Sequence, residues 1–547
     1  MMCTRIAVFL ALVNLICLEA GAQSAETYRR LLTTRVREGR LAAPSHLKAY
    51  ADGYKLRLSL RDAILLTLEN NSDIQIEETQ IESQKFLLLA AHAPFDPLLQ
   101  SSLNINRSSS SGFSQLQGVG VSGNAILNTL SQTGQVTYTQ TFNAGTTISL
   151  GLSSGKSSTN SFFYYLNPYF SSSLNLQFTQ PLRRNAGKFA NTAPILIARR
   201  GLAQSRASFE AEVNDAILQI VSQYWAAIQA RGALEVQQRA QQLAEVSYQR
   251  DKRALELGAL PPLDISRSES EVASRKVQAI QAAYVLTQAE EALRITIGAD
   301  QDAQFRSLPF DLTESPQPAG DLAAIDVETL LAESLAARPE VEAATDAVAN
   351  DDTSIRLAHN QLRPDLSLTG FYQSNGVGGN QYDLFTGKLI ASGGLGTSYS
   401  QMFGFGYPGY GGTLTLNLPI TNRTAQARLG NALVSRTRDL YSQRRTAEQI
   451  THEVRNSSQQ LEETKLALAA AEVSLDLARK TLTADQRKFE LGAETNFFVL
   501  DSQERLAQAE LILLQSQVNY QVALAAVEHA SGRLLAPYTL QIDAASK

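Results

Sequence analysis

Three patterns in the sequence have the spacing of catalytic or ligand-binding motifs, and each lacks the setting its chemistry needs. Gly151-Leu152-Ser153-Ser154-Gly155 fits the GxSxG turn that exposes a nucleophilic serine, but it closes an alternating stretch and no helical pattern follows. Gly118-Val119-Gly120-Val121-Ser122-Gly123 fits the glycine fingerprint of a dinucleotide site, yet it stands in a Ser/Gly-rich stretch without a strand-helix-strand unit. The five histidines, His46, His92, His359, His452 and His529, are scattered without metal-ligand spacing and read as packed or solvated. No catalytic constellation emerges, and neither enzyme activity nor a cofactor is expected.

The residues that break helical pattern are more informative. Gly492 is the only glycine between residues 431 and 531. It lies in RKFELGAETNFFVLDSQE (487–504), which reads as the tip of a helical hairpin. ELGALPPLD (256–264) repeats it, with Gly258 at the turn and Pro261 and Pro262 suited to a first helical turn.

Residues 1–22 carry Arg5, an apolar run over 6–18 and Ala20-Gly21-Ala22, the pattern of a cleaved signal peptide, so the mature chain is expected to start at Gln23. Both cysteines, Cys3 and Cys17, fall in that segment, and the exported protein is expected to hold no disulfide. Lipidation at Cys17 is the alternative, set against the bulky Ile16 before it. The net charge is -5 with no basic tract, which offers nothing to a nucleic acid. After Ala22 no run approaches the roughly 18 apolar residues of a membrane-spanning helix. If the chain crosses a membrane it does so with strands, and that restricts it to the bacterial outer membrane.

Residues 98–182 have the texture for strands, with polar/apolar alternation at 102–106, 135–142, 146–152 and 173–180. Such alternation suits one face toward lipid and one toward water, and Tyr138, Phe142, Phe162, Phe163, Tyr164, Tyr165, Tyr169 and Phe178 suit interfacial girdles. A soluble β-sandwich alternates in the same way and stands as the alternative. On either side lie helical patterns: 60–92, ended by Pro94 and Pro97, and 193–257, where some 60 residues of helix would extend about 90 Å.

These pieces divide the chain into a first structural repeat, 23–300, with strands over 98–182 and a hairpin tip near 258. A Pro-containing linker spans 301–326. A second repeat, 327–535, has a helix over 327–359, strands over 366–418 around a Gly-rich loop at 376–412, and a tip near 492. A C-terminal tail occupies 536–547. Residues 60–97 and 327–364 are equal in length, as are 258–298 and 492–532, which is the mark of a tandem internal repeat. Along 450–482 and 506–530 apolar and small residues alternate spacings of four and three, implying a left-handed coiled coil.

This order of elements, with RPEV at 338–341, LRPDLSL at 362–368, QPL at 180–182, LTLNLPI at 414–420 and the two LGA tips, resembles the TolC-like outer membrane efflux proteins over residues 56–535. The resemblance implies an α+β membrane protein: a trimeric outer membrane β-barrel continued by a long periplasmic α-helical coiled-coil barrel. It implies a homotrimer embedded in outer membrane lipid that works with a periplasmic adaptor protein and an inner-membrane pump. The function expected is the exit duct of a tripartite system exporting small molecules or drugs. A type I protein secretion duct and a non-conducting coiled-coil envelope protein are the alternatives.

The same resemblance points to site residues. Asp501 matches one of two acidic residues that line the tunnel entrance in the family, with Phe498 in the companion position. Asp264 matches a latch residue, while Phe489 and Glu494 stand where the family's latch partners are a Tyr and an Arg. The gate is therefore expected to close with less ion pairing and more apolar contact. Arg487 or Lys488 could substitute as latch partners. Leu257, Gly258, Ala259, Leu491, Gly492 and Ala493 are expected to meet the adaptor. Segments 135–152 exceed the two strands per half that the family implies. They would either widen the barrel or form an extracellular hairpin, and the hairpin is favoured because a wider barrel would have to be matched by the helical tunnel.

Overall fold

The computed structural model describes residues 44–52, 54–111, 126–161, 164–258, 262–318, 326–383, 386 and 388–534. The leader, both cysteines, the 118–123 glycine pattern, Phe162, Phe163, Ala259 and the C-terminal tail lie outside the described residues, as does the side chain of Asp264. No described helix is long and apolar enough to cross a membrane. The chain forms two compact units.

The sheet unit contains Phe86–Arg200 and Ala349–Thr437. Strands β3 (Leu98–Ser111), β4 (Ile126–Thr141), β5 (Thr147–Thr159), β6 (Leu166–Pro181), β8 (Asp365–Tyr382) and β10 (Pro408–Asn417) form one antiparallel sheet in the order β10-β8-β6-β5-β4-β3, with the short β9 (Leu389–Ala391) paired to β8. The register sorts the side chains by type. Opposite Tyr372 stand Tyr410 and Leu176, and Leu150 and Tyr138 continue that row. Leu174, Leu152 and Val136 follow in the next row on the same face. The opposite face is mainly hydroxyl and amide, with Phe371 and Val377 as apolar exceptions, and its hydroxyls bond across strands: Ser153 with Ser173 at 2.7 Å, and Thr179 with Thr369 at 3.2 Å.

Two expectations are corrected here. Segments 135–152 do not form an extracellular hairpin: β4 and β5 are full members of the sheet, seated between β3 and β6. Their turn closes with Phe142 N–H donating to Thr146 O at 2.8 Å, and it lies beside the stretch from β6 to the long helix α3 (Lys188–Glu256). Gly145 there has φ 86°, and a Cβ would come within 2.7 Å of Asn185 O. The turn thus sits at the helix end of the sheet. Nor is 376–412 a glycine-rich loop. β8 runs through Gly376, Gly378 and Gly379, and helix α7 (Leu395–Phe403) lies on its apolar face. The glycines are there because a Cβ on Gly376 would reach 1.9 Å from Ser398 O, and one on Gly378 2.2 Å from Gly394 O. Buried hydroxyls fasten the helix: Ser398 bonds Ser172 at 2.6 Å and donates to Gly376 O at 2.9 Å, while Ser374 donates to Met402 O at 2.5 Å.

The other unit is helical. The single helices expected over 60–92 and 327–359 are each broken once, into α1 (Leu60–Asn70) and α2 (Ser72–Ala90), and into α5 (Val327–Ala337) and α6 (Pro339–Gln361). Asn71 ends the first by capping the next, its Oδ1 accepting from Asp73 N–H at 2.8 Å and Ile74 N–H at 3.2 Å. Arg338 ends the second because the residue before Pro339 is driven out of the helical region.

Helices α3 and α4 (Pro262–Thr296) form one hairpin, and α8 (Arg423–Glu490) and α9 (Asn496–Ala530) the other. α4 and α9 each have 35 residues. The four-three stripe is the buried side: Ile450, Val454, Leu461, Leu468 and Leu475 on α8, and Ala509, Tyr520, Ala523 and Val527 on α9. A core around Ile217, Ile220, Tyr224 and Trp225 takes in Leu56, Leu58, Phe310 and Leu312, which belong to a small sheet of β1 (Ala51–Asp52), β2 (Lys55–Leu58) and β7 (Phe310–Leu312). The segment read as a linker thus contributes a buried strand, and β2 supplies its parallel partner.

Candidate functional site at the hairpin tips

Both tips turn on a glycine in the left-handed region, Gly258 at φ 73° and Gly492 at φ 72°. At the second, Gly492 N–H donates to Phe489 O at 2.9 Å and Ala493 N–H to Lys488 O at 2.9 Å. This pair of bonds is the Schellman ending of a helix, which closes on a residue that L side chains with a Cβ occupy at a cost. A Cβ at Gly258 or Gly492 would have nothing within 4 Å, so backbone conformation, not crowding, selects glycine. Beside them Leu257 and Leu491 are 84% and 79% exposed.

Just behind the tips the two hairpins carry matching bonds. In the first, Ser268 donates to Asp251, and in the second Ser502 donates to Asp485. Each carboxylate thereby ties the outgoing helix of its hairpin to the returning one. Asp251 also accepts from Asn496 Nδ2 at 2.7 Å, which joins one hairpin to the other. Arg250 completes this contact: its guanidinium donates to Asn496 Oδ1 at 2.5 Å and lies 4.6 Å from the Phe489 ring centroid. Arg267 stands 5.3 Å from the Phe497 ring, and Phe497 meets Phe498 edge-on at 5.5 Å. Phe489 thus lies in the cross-hairpin contact, with Arg250 as its partner.

Other expected residues are placed differently. Glu494 takes Lys488 Nζ at 2.7 Å within its own tip, and that hydrogen bond pushes the Lys488 amine up from its ordinary pKa. Asp501 is paired with Arg505 one turn along α9 at 2.9 Å, so its charge is locally compensated. Asp264 stands in the first turn of α4, three residues before Arg267. Sequence reasoning missed Arg250, Asp251, Asn496 and Asp485. The only available signal was that Asp251 and Ser268 recur as Asp485 and Ser502 at the same spacing from the tip glycines.

A second charged cluster lies in the helical unit, away from the tips. His529, 7% exposed, bonds Glu453 through Nδ1 at 2.9 Å and Asp215 through Nε2 at 2.7 Å, and Glu453 also receives Arg338 at 2.6 Å. Burial alone would lower the His529 pKa, but hydrogen bonds to Asp215 and Glu453 and their negative charge outweigh it and hold it at about 9. Burial likewise works to raise Glu453, and His529 and Arg338 reverse that, so it titrates below its ordinary value.

A sheet with one apolar and one hydroxyl-rich face, followed by long helical hairpins with glycine tips, is the plan of an outer membrane channel. The sequence matches the outer membrane efflux protein family over residues 146–299 and 330–533, more than half of the chain, and the protein belongs to that family. Members are channels of the outer membrane whose helical part lies in the periplasm, and this chain is located there too. No curated protein sequence matches it.

Among solved structures, the outer-membrane channel OprN is 14% identical with a TM-score of 0.62, the match covering 86% of this chain and 89% of that one. The CmeC channel of Campylobacter jejuni is 15% identical with a TM-score of 0.60 over 91% and 94% of the two chains. VceC of Vibrio cholerae is 16% identical with a TM-score of 0.60 over 90% and 99%. At these identities the likeness is one of fold.

Proposed function

We propose that three copies of this chain form the exit duct of a tripartite efflux system that passes small molecules through the periplasm and the outer membrane. The observation that carries this reading is the sheet: its apolar face suits lipid, its hydroxyl face suits a water-filled lumen, and its outermost strands β3 and β10 each have one edge unpaired among the described residues. One chain cannot close such a sheet. Cyclic symmetry would pair β10 of each copy with β3 of the next and leave no edge in the membrane. Six strands from each of three chains make eighteen, against the four per chain that the family resemblance implies, and barrels of 16–18 strands enclose an aqueous channel.

In this reading the halves are duplicated copies, and the equal 35-residue return helices support that. The buried four-three stripes would form the coiled-coil wall of the tunnel. The Arg250, Asn496 and Phe489 contact would hold the tips shut, and Leu257, Gly258, Ala259, Leu491, Gly492 and Ala493 would meet an adaptor that recruits the pump. The decisive measurement is made on purified protein in planar bilayers and on gels with and without heating. A heat-dissociable trimer that conducts ions is expected. A species that stays monomeric and non-conducting in lipid would mean a structural envelope protein instead.

A further inference from the structure

α7 belongs to no part of the channel described so far, and its position is specific. It runs from beside Gly378 to beside Ser374, over the end of β8 remote from the long helices, and on the apolar face. That face is mainly apolar from the Leu366–Leu416 row to the Leu174–Leu152 row, with Gln180 and Gln140 as polar exceptions within it. This is a rise of eight residues along β8, about 27 Å before tilt and close to the height of the apolar band of a barrel. Beyond it the face turns polar at Ser172 and Ser154, under the helix, whose C-terminal end reaches Ser374 in the Leu174 row. Ser398 and Met402 turn inward and are fully buried, and Ser398 satisfies the Ser172 hydroxyl.

The helix carries no charged residue. Leu395, Tyr399 and Phe403, spaced by four, make an apolar ridge along one flank, with the Tyr399 and Phe403 rings stacked at 6.3 Å. Leu395 and Phe403 are 38% and 40% exposed, and Tyr407, just past the helix, is 61% exposed. An uncharged, aromatic-flanked helix continuous with a lipid-facing band fits the outer boundary of a bilayer, where amphipathic rings concentrate.

We propose that α7 is an outer-leaflet anchor: it lies on the outside of the barrel, and its Leu395, Tyr399 and Phe403 ridge contacts membrane lipid. This rests on the reading of the apolar sheet face as the lipid face. The test uses the full-length trimer in lipid vesicles, with Cys3 and Cys17 replaced by serine where retained and a nitroxide placed at one new cysteine at a time. Leu176→Cys reports the sheet's apolar face, Thr133→Cys its polar face, and Tyr399→Cys the helix.

Collision with oxygen, which concentrates in lipid, is compared with collision with a water-soluble nickel chelate, and trimer formation on unheated gels shows that each variant folds. The expected result is a several-fold preference for oxygen at Leu176 and Tyr399, and for nickel at Thr133. If Leu176 favours oxygen but Tyr399 favours nickel or is shielded from both, α7 lies in water or between subunits, and the proposal fails while the barrel reading stands. If Leu176 favours nickel, the assignment of the lipid face fails, and the proposal with it.

Discussion

His529 shows how a single side chain can couple this protein's stability to pH. Its folded pKa of about 9 exceeds the ordinary 6.5, so the stabilisation it brings is complete below about pH 6.5 and disappears as the pH rises through 9. A shift of that size corresponds to at most about 3 kcal/mol, less to the extent that Asp215, 64% exposed, is screened by water. The thermal midpoint of the purified protein is therefore expected to fall between pH 7 and pH 10, and His529→Gln to flatten that fall while lowering the midpoint at neutral pH. A slope unchanged by the substitution would show that other groups set it. Nothing in the sequence marked this histidine among the five, because its partners Asp215 and Glu453 are distant along the chain. Arg250 escaped notice for the same reason: its contacts with Phe489 and Asn496 join separate hairpins, and periodicity reports only which face of a helix is buried, not what meets it.

At the scale of elements, long helices, their tips and the four-three stripe were all legible, since each depends on residues close in sequence. What misled was glycine. At 492 it marks a turn, through its positive φ, whereas at 376 and 378 it lies within an extended strand and makes room for another backbone. Composition does not distinguish these uses. The tips allow a direct trial of the adaptor proposal. Asparagine tolerates the left-handed region, and a Cβ at either tip meets nothing within 4 Å, so the Gly258→Asn, Gly492→Asn pair is expected to cost under about 2 kcal/mol and to leave the proposed trimer intact. Pull-down of the adaptor is expected to weaken by an order of magnitude or more, since the added side chains would stand on the exposed turn. Undiminished pull-down would move the adaptor contact elsewhere.

For the whole molecule, the family expectation of two strands per half was the least reliable guide, because β4 and β5 enlarge the sheet without disturbing the order of the other elements. If a ring of Asp501 at the tunnel mouth sets ion preference, the Arg505 beside each copy dilutes it. Arg505→Ala is expected to shift reversal potentials in planar bilayers toward stronger cation preference, and Asp501→Ala to shift them the other way. Identical potentials in both variants would remove Asp501 from the permeation path.

The small sheet in the helical unit bears on how the chain reaches this state. β2 pairs in parallel with β7, and the core around them includes Leu47 near one end of the described chain and Leu534 at the other. Hairpin contacts close short loops and can form as soon as their residues are available, but closing so long a loop costs entropy that only the finished core returns. The hairpins can therefore zip early, whereas the helical unit gains its full stability only after Leu534 has crossed into the periplasm. Until then the apolar residues of the core around that sheet remain open to the wrong partners, a period in which aggregation competes with folding.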